Sequence, residues 1–181
     1  MSKPRILIAR AVFPEVVEHL SLHFQVESNQ EDVLRSPAEL AARLADKDGA
    51  LTTGSERIDR SLLAACPRLR IVANMAVGYN NFDVEAMTAA GVQGTNTPDV
   101  LTETTADFGF ALLMATARRL TESEHFLRAG QWTKWSYDMF AGSDIHGSTL
   151  GIIGMGRIGQ GIAKRGAHGF GMKVEIGRAH V

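Results

Sequence analysis

The sequence predicts an α/β protein built on parallel sheet, and two observations carry that prediction. Short apolar runs alternate with helical patterns through the first half of the chain, the order expected of a parallel sheet covered by helices on both faces. Later, Thr149-Leu150-Gly151-Ile152-Ile153 feeds Gly154-Met155-Gly156-Arg157-Ile158-Gly159, a G-x-G-x-x-G turn that opens into a further helical pattern. Strand, glycine turn and helix in that order begin a doubly wound (Rossmann) dinucleotide-binding unit.

The elements follow in order. Strands are predicted at 5–9, 24–27, 50–52, 71–74 and 92–94, with helices at 14–23, 37–45, 59–65 and 84–90 between them. Pro14 and Pro37 suit the first turn of a helix, where no amide donor is required. Asp59 is placed to cap a helix, Cys66-Pro67 ends it, and Gly91 stands where a C-terminal glycine stop belongs. The connections are short, as compact βα units require. From Thr102 to about Gly130 the pattern becomes one long helix, with Phe108, Leu112, Leu113, Ala115, Leu120 and Leu127 forming a broad apolar stripe. Such a helix either joins two α/β units and offers a face to a partner subunit, or is buried within its own chain. Residues 131–147 read as a loop into which Trp132, Trp135, Tyr137 and Phe140 are crowded. A first domain is therefore expected over 1–98, and an incomplete Rossmann domain over 99–181 with the long connecting helix at about 102–130.

Composition narrows the partners. The chain has 181 residues, a formal net charge of −1 and 45% hydrophobic residues, which describes an ordinary globular protein. Nothing in that balance points to a nucleic-acid or membrane partner. The longest apolar run, 108–117, is about half of what crossing a bilayer requires. Met1-Ser2-Lys3-Pro4 leads straight into a strand, so no secretory signal is expected and a reduced, cytoplasmic setting is the default. Cys66 stands alone, which excludes an internal disulfide and a cysteine-based zinc site.

Three segments carry candidate chemistry. In the glycine turn, Gly154 permits the tight bend, Gly156 lets backbone amides approach a pyrophosphate, and Gly159 lets helix and strand pack closely. Arg157 and Ile158 fill the variable positions and would lie against the same phosphates. The second segment, Asn74-Met75-Ala76-Val77-Gly78-Tyr79-Asn80-Asn81-Phe82-Asp83, follows a strand, and open α/β sheets hold ligands at the carboxyl ends of their strands. Free amides around its glycine would suit a carboxylate, although a plain βα loop also fits the residues. The third, Thr102-Glu103-Thr104-Thr105, reads as a helix start in which a threonine either caps the helix or faces a ligand. After the strand at 172–176, Glu175 falls early for an acidic residue holding the adenosine ribose. Arg178 falls nearer that place and would favour the extra phosphate of NADP, with a surface arginine as the alternative. His19 and His23 share a helix face without a third ligand, and no metal site is expected.

Taken together, these segments resemble the D-isomer-specific 2-hydroxyacid dehydrogenases, most nearly their glyoxylate/hydroxypyruvate reductase branch. The likeness runs through 74–81, 96–107, Ala115-Thr116-Ala117-Arg118-Arg119, Trp132-Thr133-Lys134-Trp135 and 150–159, in order and with matching spacing. It implies a flavodoxin-like substrate domain to about Pro98, followed by the opening of an NAD(P)-binding Rossmann domain. It also implies hydride transfer from NAD(P)H to the carbonyl of a small 2-oxo acid. By the same resemblance, the backbone at Val77 and Gly78 holds the substrate carboxylate. Thr105 lies on the nicotinamide side, and Gly154, Gly156, Arg157, Ile158 and Gly159 hold the pyrophosphate. Trp135 matches a tryptophan that reaches into a neighbouring subunit's active site, and a homodimer is expected; a loop anchor is the other reading of Trp135.

The resemblance places the family's catalytic arginine, glutamate and histidine beyond Val181, so a C-terminally truncated chain, inactive by itself, is expected. Gly177-Arg178 resembles the start of an NADP-selecting turn, which tilts the expectation towards NADPH over NADH. The alternatives are another member of the family, such as a phosphoglycerate dehydrogenase, or a non-catalytic, corepressor-like module of the same fold.

Overall fold

A computed structural model describes residues 2–177, which places Arg178 outside the described residues. The chain divides into two compact units, Met1–Pro98 and Asp99–Val181.

The first unit is a five-stranded, all-parallel sheet. Its strands are β1 (Arg5–Ile8), β2 (Gln25–Ser28), β3 (Gly49–Thr52), β4 (Ile71–Asn74) and β5 (Gln93–Thr95), in the spatial order β2-β1-β3-β4-β5. That order is the flavodoxin-like one, with its topological switch beside β1. Helices α1 (Pro14–Ser21), α2 (Pro37–Leu44), α3 (Arg60–Ala65) and α4 (Val84–Ala89) form the crossovers. Local chemistry starts each of them. Pro14 and Pro37 open α1 and α2, and a Ser36–Glu39 capping box closes the first turn of α2. Asp59 and Asp83 accept backbone amides at the starts of α3 and α4. Leu7, Leu44, Ile58 and Val72 are fully buried, and the core they form lies between sheet and helices. Cys66 sits in this core with its thiol pushed up by burial, which makes it an apolar filler.

One ion pair ties the carboxyl ends of β1 and β2 together. Buried Asn29 donates to the carbonyls of Ala9 and Val33, and the turn it shapes carries Asp32 at a φ of 54°. Asp32 accepts both arms of the Arg10 guanidinium, at 2.8 and 2.9 Å, and the Ala11 amide. The Arg10 hydrogen bond, with help from the Ala11 amide, pulls the Asp32 carboxyl from 3.8 down to about 2. A carboxyl lowered in the folded state contributes stability above its unfolded value and loses it as pH falls through the folded value. Asp32→Asn is therefore expected to melt below the parent chain above pH 3.8, and the two melting curves should converge as pH falls towards about 2. Parallel thermal melts across that window check this.

The second unit begins with two helices where the sequence predicts one. Helix α5 (Thr102–Ala117) ends, and α6 (Leu120–Arg128) starts, at Arg119, whose φ is 51°. The break is a tertiary effect, because Ala115-Thr116-Ala117-Arg118-Arg119 contains neither glycine nor proline. The Ala117 carbonyl, released at the helix end, accepts the Ser143 amide at 2.9 Å. Gly142 passes so close that a Cβ there would lie 2.2 Å from that same oxygen. The Arg119 side chain pairs with Glu122 and covers the Phe140 ring at 5.3 Å, which offsets the cost of its left-handed backbone.

Residues 131–148 hold no helix or strand. Then β6 (Thr149–Ile153), α7 (Arg157–Lys164), a π-helical turn (Arg165–Gly169) and β7 (Lys173–Gly177) follow, with β6 and β7 paired in parallel. Leu150, Ile152, Ile145 and Met172 are buried under α5 and α7. These two helices cross on small residues, Ala106 against Gly161 and Gly109 against Ile162. Arg165 reaches back to Asp107 and Glu103 on α5, and those bonds raise its pKa. Among the described residues no helix is long and apolar enough to cross a membrane.

Candidate functional site

The turn after β4 is built by asparagines. Four consecutive carbonyls are drawn back into the protein. Ala76 O accepts the Thr97 amide at 3.0 Å, Val77 O accepts Asn96 Nδ2 at 2.8 Å, and Gly78 O accepts Asn74 Nδ2 at 2.9 Å. Tyr79 O accepts the Phe82 amide at 2.9 Å. The amides of Val77 and Gly78 find no acceptor among the described residues. Val77 is half-buried and Gly78 exposed, so these donors sit at the mouth of the sheet's carboxyl edge. An N–H left without a partner at such an edge is a donor that an anion can accept.

The same edge carries the turn after β3. Glu56, almost fully buried, accepts the Thr53 amide at 2.7 Å and the Thr53 hydroxyl at 2.9 Å. Arg10 donates to Ser55 at 3.3 Å. Arg10, Thr53, Glu56, Asn74, Asn81 and Asn96 thus line one edge of one sheet. Sequence reasoning passed over them as site residues, although the repeated asparagines around Gly78 were a visible signal. His19 and His23 lie near the C-terminal end of α1 and so face the opposite edge of the sheet. Among the described residues no group of three or more metal-ligating side chains converges.

In the second unit the glycine turn has the shape its residues require. Gly154 takes a φ of 97°, and neither it nor Gly156 has anything within 4 Å of where a Cβ would stand. Gly159 is the reverse, since a Cβ there would lie 2.2 Å from the Gly154 carbonyl oxygen. The first two positions leave an open cradle and the third closes helix onto strand. Gly156 is the N-cap of α7 and offers no side chain, so the first amides of the helix stay open to an anion. A pyrophosphate fits this combination of open space, free amides and positive helix end. Ile158 is half-buried, and the exposed Arg157 turns its guanidinium to Asp99 at 2.8 Å.

Thr105 is half-buried on α5, next to the Ala106 that packs on Gly161. No threonine caps α5, whose N-cap is Leu101 without a side-chain bond, so the capping reading of that segment is set aside. Trp135 is 75% exposed, which does not describe a loop anchor. Phe108, Leu112, Leu120, Leu127 and Trp132 of the same unit are also exposed.

The family model for the D-isomer specific 2-hydroxyacid dehydrogenase catalytic domain matches residues 6–159. Among curated relatives, the glyoxylate reductase of Thermococcus kodakarensis is 49% identical over 176 residues, covering 95% of this chain and 53% of its own length. That of Aeropyrum pernix is 46% identical, covering 96% and 53%. The chain thus spans about half the length of the curated relatives it matches. Among solved structures, a protein of Thermus thermophilus superposes with a TM-score of 0.88 at 36% identity, over 98% of this chain and 57% of that one. The NADPH-dependent glyoxylate/hydroxypyruvate reductase of Sinorhizobium meliloti, crystallised with NADP and malonate, superposes with a TM-score of 0.75 at 35% identity, over 97% and 53%.

Proposed function

The chain belongs to the D-isomer specific 2-hydroxyacid dehydrogenase family, and from that membership we propose that the whole protein reduces a small 2-oxo acid of the glyoxylate or hydroxypyruvate type to its 2-hydroxy acid. The observation that carries the reading is the Val77–Gly78 turn, with its carbonyls drawn back and its two amides open at the sheet's carboxyl edge. A substrate carboxylate there accepts both amides in charge-assisted bonds, roughly twice as strong as neutral ones. The glyoxylate reductase relatives, and the small dicarboxylate held by the Sinorhizobium reductase, support the same class of ligand.

A nicotinamide cofactor supplies the hydride when bound. Gly154, Gly156, Arg157, Ile158 and Gly159 would hold its pyrophosphate, and Thr105 would lie on its nicotinamide side. NADPH is preferred over NADH on the residue type of Arg178 and on the Sinorhizobium relative. The apolar side chains exposed along α5, α6 and 131–137 form the face of a homodimer, through which Trp135 reaches the neighbouring subunit's substrate. A cytoplasmic setting suits this chemistry.

The test is an assay of the whole protein with glyoxylate, hydroxypyruvate and larger 2-oxo acids against both reduced cofactors. Oxidation of NADPH with glyoxylate or hydroxypyruvate is expected. If no 2-oxo acid is reduced with either cofactor, the reading is overturned.

A further inference from the structure

We propose that Asn96 is a positioning residue that aims the Gly78 amide at a carboxylate by holding the Val77 carbonyl; the inference rests on the function proposed above for that turn. In a trans peptide the C=O and the N–H of the next residue point in opposite directions, and no peptide bond among the described residues is cis. The Gly78 N–H is therefore directed by the Val77 carbonyl, which Asn96 Nδ2 holds at 2.8 Å. The Val77 N–H is directed by the Ala76 carbonyl, which the Thr97 amide holds at 3.0 Å. Asn74 holds the Gly78 carbonyl and so directs the next donor along, the Tyr79 N–H.

Both grips come from just beyond β5. Its last residue, Thr95, pairs with Ala73 on β4, and that register sets Asn96 and Thr97 beside the turn. The two grips differ in kind. Thr97 holds Ala76 with a main-chain donor, which any residue except proline supplies. Asn96 holds Val77 with its side chain, so the direction of the Gly78 N–H depends on which residue stands at 96. A carbonyl only accepts, so the atom of Asn96 that faces it is the nitrogen and not the oxygen. Packing adds no second restraint at Gly78, where a Cβ would meet nothing within 4 Å and the glycine backbone is free to turn. Without the Asn96 donor the Val77–Gly78 peptide can rotate and set its carbonyl, in place of the N–H, towards an incoming anion. What Asn96 supplies to the site is the direction of another residue's N–H.

Asn96→Ala is the sharp test, because it removes the donor and adds no charge near the ligand. One-bond nitrogen–proton dipolar couplings, measured by NMR on the weakly aligned 181-residue chain without ligand, read N–H direction. In N96A the Gly78 coupling is expected to change. Those of Val77, whose peptide Thr97 still holds, and of Leu7 and Ile8 on β1 should persist. Titration with oxamate, an inert 2-oxo carboxylate, is then expected to show binding weakened about tenfold relative to the parent chain. An unchanged Gly78 coupling in N96A overturns the positioning role, whatever oxamate does. So does a Val77 coupling that changes as much as that of Gly78, since the whole turn has then loosened. Undiminished oxamate binding beside a changed Gly78 coupling overturns it as well. A parent chain in which oxamate moves neither amide resonance overturns the carboxylate reading instead. Should N96A fail to fold, N96S carries the same comparison, since its hydroxyl falls one atom short of the Asn96 Nδ2 position. An unchanged Gly78 coupling in N96S overturns the proposal equally.

Discussion

Replacing Gly159 by alanine is expected to separate the glycine turn from its helix. A Cβ there would lie 2.2 Å from the Gly154 carbonyl oxygen and 3.5 Å from the Ile152 side chain. The first is a backbone atom at the point where the strand bends, so no side-chain rotation relieves the contact. Either α7 lifts off β6 or the Gly154 peptide turns over. Both spoil the helix end proposed to receive the pyrophosphate. Overpacking of this kind costs about 3 kcal/mol, and the movement acts directly on the proposed phosphate site. Gly156→Ala makes the control, because nothing lies within 4 Å of its Cβ position and the fold has room for the methyl group. Thermal melts of the two variants, with titration of the whole protein by NADPH, check the pair. G159A should lose both stability and binding, and G156A should keep its stability. A G159A variant that melts and binds like the parent would refute the account of the turn.

The second large effect concerns the 181-residue polypeptide by itself, which is expected to show no turnover of glyoxylate or hydroxypyruvate. Reduction of a carbonyl needs a proton donor as well as a hydride. In the first unit the histidines stand at the edge of the sheet away from the Val77–Gly78 turn. In the second, His125 bonds the Thr121 carbonyl of its own helix, His146 lies beside Gly171 ahead of β6, and His168 lies on the π-helical turn beyond α7. No histidine among the described residues stands at either glycine-containing turn. Loss of a general acid alone lowers rate by about a hundredfold to ten-thousandfold. Steady-state assays of this chain, beside a full-length relative, measure the deficit. Clear turnover by the 181-residue chain would show that a donor present in it does the work.

Much of the fold could be read from the sequence because its signals are local. Pro14, Pro37, Asp59 and Gly91 act within a turn of where they stand, and each begins or ends the element it was expected to. The α5–α6 break was not readable. It depends on Gly142 and Ser143 returning to Ala117 from a distant point in the chain, and the intervening sequence is helix-forming through α6. The Arg10–Asp32 pair escaped for the same reason, as the carboxylate reaches β1 only once the parallel sheet has formed. At the candidate site, the segment 74–83 stood out by its glycine and its place after a strand. Two of its carbonyls, Gly78 and Val77, are drawn back by the Asn74 and Asn96 side chains, and Asn96 reaches the turn from beyond β5.

The open donors after β4 belong to the main chain, and this has a consequence for how such a protein diverges. Any side chain but proline's can stand at position 77 without removing either N–H, so sequence drift there would leave the proposed grip on a carboxylate intact. A backbone clamp reads the charge and size of an acid group and ignores the remainder of the molecule. Discrimination between one 2-oxo acid and the next must then be written on other surfaces, free to vary while the common handle is kept. On the proposed role the same donors would not distinguish a substrate's carboxylate from any other small oxyanion, so the buffer ion chosen for an assay would be a competing ligand.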